Sequence, residues 1–293
     1  MTSTMTIEID RLTPAIGAEI SGVDLRAPLT PTTRDEIHQA LLDHHVIFFR
    51  DQDLDHEQLM ALGRQFGTLT IGKLWSPVGG HPEVVNIFAD AKTKYVAGEM
   101  WHSDMTCTPV PPMGSILAMK IVPPNGGDTL WANMYAAYDA LSQPMKDYLS
   151  GLSAAHDAEL AVSMAPDGVQ DAPESSGEKS PVLEQVARPP VKVPIPHSVH
   201  PVIRTHPETG RKLIFVNPFF TTHLIGVEAA ESQAILQYLY NHCADPLFSV
   251  RFRWRANSVA FWDNRCTQHR ALKDYLPHTR SGYRVQIDGD VPV

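Results

Sequence analysis

The stretch Phe261-Trp262-Asp263-Asn264-Arg265-Cys266-Thr267-Gln268-His269-Arg270-Ala271 runs from an apolar strand through a polar turn into an extended segment that presents a histidine. Upstream, Trp101-His102-Ser103-Asp104 sets an imidazole and a carboxylate two residues apart. In an extended chain, residues i and i+2 project to one face, so His102 and Asp104 can converge on one ion. Alone the pair is a weak signal, because with 14 His in 293 residues about one His-x-Asp is expected by chance. His81-Pro82-Glu83 and His206-Pro207-Glu208 are also His-x-acid pairs, each with an internal proline that favours a turn. His269 would complete a set of two imidazoles and one carboxylate. On one face of an octahedron that set leaves three positions open, which suits Fe(II) oxygen chemistry better than a closed tetrahedral zinc site. Read singly, each histidine is as well explained as a core residue satisfied by a hydrogen bond.

Around these segments the pattern is helical first and then strand-rich. Thr33 and Glu36 make a capping-box spacing ahead of Ile37, Ala40 and Leu41, which predicts a helix over 33–45 running into a buried strand, Val46-Ile47-Phe48-Phe49. Asp55 can cap a second helix with Leu59, Leu62 and Phe66 on one face and Gly67 as its stop. From about 84 to 132, β-rich runs such as Val84–Phe88 and Ser115–Met119 alternate with turns such as Pro123-Pro124-Asn125-Gly126-Gly127. Helical patterns return near 134–150 and 228–243. Val250 to Arg255 alternates Phe252 and Trp254 with Arg251, Arg253 and Arg255, so the aromatics should face a core and the arginines outward. Between Pro166 and Pro201 there are eight prolines and no Phe, Tyr or Trp. That composition predicts a mobile loop, since it buries too little to offset ordering the backbone. The class expected is α+β around a β-sandwich or barrel.

Composition narrows the functions. The chain has 24 Lys+Arg against 33 Asp+Glu, a net charge of −9, and no long basic run, which argues against a nucleic-acid partner. No apolar run is long enough to span a bilayer and the opening residues carry no signal-peptide pattern, so the expectation is a cytoplasmic protein with no membrane association. Cys107, Cys243 and Cys266 make an odd count without a CxxC pair, fitting neither a disulfide framework nor a thiolate zinc site. Gly67 to Leu74 nearly matches a P-loop, but Leu74 replaces the Mg²⁺-binding hydroxyl, and no Gly-x-Ser-x-Gly elbow occurs.

Taken in order, Ile16-Gly17-Ala18-Glu19-Ile20-Ser21-Gly22-Val23-Asp24-Leu25, Trp101 to Asp104, Gly126-Gly127-Asp128-Thr129-Leu130-Trp131, His200 to Pro207, Trp262 to His269, and Arg280 with Arg284 resemble the taurine dioxygenase and 2,4-dichlorophenoxyacetate dioxygenase family of Fe(II)/2-oxoglutarate enzymes. The resemblance runs through almost the whole chain. It implies a clavaminate synthase-like double-stranded β-helix (jelly-roll) core with flanking helices, a single domain over 1–293, and a lid loop at 158–200. By the same resemblance His102, Asp104 and His269 bind iron, Thr129 and Arg280 hold the distal carboxylate of 2-oxoglutarate, and Arg284 holds the anionic group of the substrate. A planar guanidinium suits a buried carboxylate because it grips both oxygens.

The implied reaction is hydroxylation of a C–H bond with O₂ as oxidant, 2-oxoglutarate leaving as succinate and CO₂. Taurine-specific members place histidine, asparagine and phenylalanine where this chain has Gly72, Gly98 and Ala158, so contacts for an ammonium are missing. With Arg284 kept and an aromatic wall from Trp75 and Phe220, the expected substrate is an alkyl sulfonate, an alkyl sulfate ester or an aryloxyalkanoate. Family habit implies a homo-oligomer, a dimer or tetramer. The competing reading is a non-catalytic metal-containing β-sandwich module that binds small anions. A halogenase is disfavoured, since Asp104 fills the position a halide would need.

Overall fold

The computed structural model describes residues 7–71, 80–93, 98–163 and 196–293. In chain order the elements are β1 (Glu8–Arg11), β2 (Ala18–Ser21), α1 (Pro31–His44), β3 (Val46–Phe49), α2 (His56–Arg64), β4 (Val85–Ala89), β5 (Gly114–Ile121), β6 (Thr129–Asn133), α3 (Met134–Asp139), α4 (Gln143–Leu149), β7 (Ser153–Asp157) and α5 (Ala158–Ser163). They continue as β8 (His197–Pro201), β9 (Ile203–Thr205), β10 (Lys212–Ile214), β11 (Thr221–Leu224), α6 (Ala229–Cys243), β12 (Ser249–Phe252), β13 (Val259–Asp263), β14 (Thr267–Ala271) and β15 (Arg280–Ile287).

A seven-stranded sheet in the order β1-β2-β3-β13-β5-β15-β4 faces a three-stranded sheet, β12-β6-β14. Two smaller sheets, β11-β7-β8 and β10-β9, complete the architecture. Every pairing is antiparallel except β2 with β3. The protein is thus a mixed helix-and-sheet structure with one large, almost wholly antiparallel sheet.

The period of two in the central strands sorts side chains between two cores. Ile47, Phe49, Ile116, Ala118, Val259, Phe261, Val285 and Ile287 join α1 and α2 residues such as Leu41 and Leu59 on the outer side of the large sheet. Val46, Phe48, Leu117, Met119, Ala260 and Trp262 meet Trp131, Val250, Phe252 and Trp254 of the small sheet's side on the inner one. Buried on both faces, β3 reads as an unbroken apolar run rather than an alternating one. Phe48 stacks on Phe252 with centroids 3.8 Å apart. A third core packs α3 and α6 behind the small sheet through Met134, Leu236, Leu239 and Cys243.

Several expectations are met and several are corrected. Phe252 and Trp254 are buried while Arg251, Arg253 and Arg255 are exposed, as the alternation required. The first helix starts earlier: Thr30, not Thr33, is its cap and accepts from the Thr33 N–H, because Pro31 at the first helical position has no N–H to satisfy and a φ already suited to the helix. Asp55 and Gln58 form a reciprocal capping box on α2, but that helix ends at Arg64 rather than at Gly67, its last turn closing with Gln65 in a right-handed conformation. The pattern over 134–150 is two helices, divided where Ser142 and Pro144 restart the chain. At the ends of the expected 158–200 loop, Ala158–Ser163 is helix and His197–Pro201 pairs with β7 as strand. The Pro-rich residues between 164 and 195 lie outside the described residues.

Candidate active site

The turn between β13 and β14 carries the chain from the large sheet to the small one. Asp263 nucleates it: its carboxylate accepts from the Arg265 backbone N–H at 2.9 Å and from the Arg265 guanidinium at 2.9 and 2.7 Å. The Thr267 hydroxyl donates to the Asp263 carbonyl at 2.7 Å. β14 then places His269 opposite Trp131 of β6 on one side and opposite His102 on the other. Reciprocal backbone bonds, His102 N–H to His269 carbonyl at 3.0 Å and the reverse at 2.7 Å, fix that second pairing. The 101–104 segment therefore behaves as an added edge of the small sheet, and Ser103, pointing away from its neighbours, anchors to the Thr267 carbonyl at 2.7 Å.

This arrangement brings His102, Asp104 and His269 together, with one potential ligand atom from each lying within 4.8 Å of the others and all three residues buried. Nε2 of His102 and of His269 stand 3.8 and 4.0 Å from Asp104 Oδ1. Those separations are too long for hydrogen bonds. They lie within about an ångström of the roughly 3 Å that separates adjacent ligands about 2.1 Å from one metal. The His102 Nδ1–H donates to the Met100 carbonyl at 2.8 Å, which leaves Nε2 as the lone-pair nitrogen facing Asp104. The imidazole centroids are 4.1 Å apart with no bond between the rings.

Protonation suits the same purpose. Burial is the main reason both imidazoles titrate below their ordinary value, His269 well below, so both are neutral near pH 7. Burial alone would raise the Asp104 carboxyl, but the Arg284 guanidinium above all, with the Ser115 hydroxyl, outweighs it and holds the group well below the usual carboxylate range. Two neutral imidazoles and one carboxylate form a donor set ready for a divalent cation without losing protons. The donor set therefore fits a metal. Its three nitrogen and oxygen ligands resemble the two-histidine, one-carboxylate face that leaves positions open.

Facing the triad, β15 turns alternate side chains inward. Arg284 Nη1 meets Asp104 Oδ1 at 3.0 Å and Oδ2 at 3.2 Å, while its Nε is buried without a partner. Ser115 of β5 donates to Asp104 Oδ2 at 2.9 Å. Arg280 is 4% exposed, donates from Nε to the Gly127 carbonyl at 3.0 Å and from Nη2 to Thr129 Oγ1 at 3.3 Å. It has no carboxylate partner among the described residues. A buried cation in that condition requires an anion to offset its desolvation. Thr129 Oγ1 also accepts from the Trp254 indole at 3.0 Å, so its two lone pairs are used and its proton is free to point at a ligand.

The remaining expected positions are divided. Gly98, at φ +91°, lies so close to His102 that a Cβ would stand 3.2 Å from His102 Cε1. Phe220 and Ala158 pack with Cys107 in one small apolar cluster, with Met105 and Phe219 against it. Gly72 and Trp75 lie outside the described residues. The three cysteines are buried free thiols, and burial pushes Cys107 up to about 12. Sequence reasoning missed Ser115, Asn264 and Phe219, whose ring centroid is 5.1 Å from that of His102. Only the doubled aromatic Phe219-Phe220 signalled the last of these. The second cluster of potential ligands, His206, Asp263 and Cys266, is spent on Arg265 and on His206 itself.

Known proteins show the same construction. A taurine dioxygenase structure from Burkholderia xenovorans superposes with a TM-score of 0.81 at 38% identity, over 98% of this chain and 93% of that one. An alkylsulfatase of Acinetobacter baylyi is 35% identical over 98% of this chain and 87% of its own length. An alpha-ketoglutarate-dependent sulfate ester dioxygenase of Pseudomonas putida is 33% identical over 98% and 91%. The family described as taurine catabolism dioxygenase TauD, TfdA matches residues 8–286, from the first strand to the last. The buried triad and both inward arginines fall inside that match, so the chain belongs to the TauD/TfdA family and is an alpha-ketoglutarate-dependent dioxygenase.

Proposed function

We propose that this chain, as a single domain with a double-stranded β-helix core, uses Fe(II) held by His102, Asp104 and His269 to hydroxylate a small organic anion. The carrying observation is the position of Arg280: a buried guanidinium with no carboxylate partner among the described residues, on a strand whose next inward arginine touches Asp104. Sheets facing each other across a shared aromatic core support the jelly-roll reading. When bound, iron with 2-oxoglutarate and O₂ supplies the oxidising chemistry and releases succinate and CO₂.

The residues supply binding and order. His102 and His269 present neutral nitrogens, and the ionised Asp104 adds the charge that selects a divalent cation. Arg280 and the Thr129 hydroxyl receive the distal carboxylate of 2-oxoglutarate in a site where the guanidinium costs least once paired. Arg284 has an unused Nε and shares the Asp104 carboxylate only through Nη1, so with Asp104 holding iron its guanidinium would be the group that receives the substrate's anion. Phe219, Phe220, Ala158 and Cys107 offer an apolar lining whose side chains carry no carboxylate to pair with an ammonium.

Among candidate anions, alkyl sulfate esters and alkyl sulfonates come first and aryloxyalkanoates next. Relatives named for sulfate ester and alkylsulfate chemistry align over 98% of the chain. Hydroxylation on the carbon beside the heteroatom gives an unstable product that breaks apart. The test is succinate formation across a panel of sulfate esters, sulfonates, aryloxyalkanoates and taurine. Acceleration by an alkyl sulfate or sulfonate with release of sulfate or sulfite is expected, and succinate formation that no panel member accelerates would refute the substrate class.

A further inference from the structure

The Asp104 peptide is held in an unusual way for a residue outside a strand. Met105 follows it in a left-handed conformation, φ +54°, so the chain leaves the edge of the small sheet at once. Among the described residues, the hydrogen bonds to the Asp104 backbone come from a single side chain. Asn264 Oδ1 accepts the Asp104 N–H at 2.7 Å, and Asn264 Nδ2 donates to the Asp104 carbonyl at 3.0 Å and to the Pro112 carbonyl at 3.0 Å. An amide that pairs with both the N–H and the carbonyl of one residue imitates one rung of an antiparallel β-ladder. It joins chain positions 160 residues apart.

Asn264 is 1% exposed and sits in the turn that leads into His269. Its own N–H donates to the Met113 carbonyl at 2.8 Å. The residues on either side are locked as well, and the lock explains the otherwise unassigned His206-Pro207-Glu208 motif. His206 Nδ1 accepts the N–H groups of Glu208 and Thr209, which leaves Nε2–H to donate to Asp263 Oδ2 at 3.0 Å. Glu208 takes Arg265 Nη1 at 2.6 Å and His38 Nε2 at 2.6 Å. The turn therefore cannot drift, and the amide transmits its position to Asp104.

From this geometry we infer that Asn264 is the positioning residue of the metal centre, setting the separation of Asp104 from His269 by stapling the Asp104 peptide to the turn that precedes β14. It touches no ligand atom and acts only through the Asp104 backbone, while Ser115 and Arg284 orient the carboxylate itself. The inference rests on the reading of His102, Asp104 and His269 as metal ligands. Because the amide fills all three bonds with neutral backbone groups, aspartate in its place keeps the acceptor but sets an oxygen against two carbonyls, so it should fail despite equal size.

The test is Co(II) binding to full-length metal-free protein, followed by its visible absorption, for wild type, Asp104→Ala, Asn264→Ala and Asn264→Asp, with melting temperatures of the metal-free proteins alongside. Positioning predicts that both Asn264 variants remain folded and that their dissociation constant rises about 10- to 100-fold, with a changed band intensity from altered ligand geometry. Asp104→Ala should lose binding altogether. If Asp104→Ala binds Co(II) as wild type does, the ligand assignment fails. If it loses binding while both folded Asn264 variants bind within twofold of wild type, the assignment stands and the staple is refuted. Failure of both Asn264 variants to fold also overturns the proposal, because the residue would then be a determinant of the fold rather than of the ligand separation.

Discussion

Replacing Arg280 by leucine separates what the guanidinium does for the fold from what it does for the cosubstrate. In the protein its partners are two neutral oxygens, Gly127 carbonyl at 3.0 Å and Thr129 Oγ1 at 3.3 Å, and burial pulls its titration below the ordinary arginine value. Removing a buried charge that has no carboxylate partner among the described residues relieves a desolvation cost and sacrifices two modest bonds, so stability should change by no more than about 1 kcal/mol. Cosubstrate binding behaves oppositely. Truncating one member of a desolvated, hydrogen-bonded ion pair costs about 3 kcal/mol or more, and 1.4 kcal/mol is tenfold, so the 2-oxoglutarate dissociation constant should rise by at least about 100-fold. Anaerobic titration with Fe(II) present, read by the charge-transfer absorption of the complex, measures that constant directly. Arg280→Lys should recover part of the loss, since it restores charge but neither the fork nor the Nε–H bond. A folded Arg280→Leu protein that binds 2-oxoglutarate within fivefold of wild type would refute the clamp.

Other consequences follow from the same contacts. Gly98→Ala places a Cβ 3.2 Å from the His102 ring at a φ of +91°; it should cost about 1–2 kcal/mol of stability and weaken metal binding, and unchanged urea unfolding would contradict the geometry. Thr129→Val strands the Trp254 indole N–H in the core at a cost of about 1–3 kcal/mol and should raise the 2-oxoglutarate KM with little change in substrate KM. His45 and His156 are buried, and desolvation depresses them to about 4 and about 3. Since the unfolded chain binds their protons first, their stabilisation is complete above the unfolded value of about 6.5 and is lost as pH falls toward the folded ones, by about 2 kcal/mol each at pH 5. Coincident urea midpoints at pH 5 and pH 7 would disprove that coupling.

Much of this site was legible along the chain because its signals are local. The i, i+2 geometry of an extended segment made His102 and Asp104 a pair, and the apolar run before Asp263 announced a strand that ends beside His269. Arg280 and Arg284 share a face through the same period. What escaped were residues whose role depends on a partner far away in sequence. Ser115 looks like any small residue in a buried strand until β15 sets Gln286 across from it and the 101–104 segment brings the Asp104 carboxylate within reach of its hydroxyl. Asn264 reads as a turn former, and turn formation is all that its neighbours in sequence can reveal. The Thr-x-x-Glu spacing points to Thr33 because it takes no account of what Pro31 contributes to a helix start, which makes Thr30 the cap.

By itself, then, the sequence determined the main helices and central strands in outline, the order of the chemical motifs, and the family they point to. These depend on periodicity and on side-chain chemistry, both of which are properties of a few consecutive residues. Only the tertiary structure decided which histidines are ligand candidates and which are braces. His102 and His269 meet across a backbone bridge with their Nε2 atoms facing Asp104 and hydrogen-bonded to nothing among the described residues, whereas His206 spends Nδ1 on its own turn and Nε2 on Asp263. Burial did the sorting: with water excluded, each polar atom must find a partner inside the protein, and the few left facing one another mark where a ligand belongs.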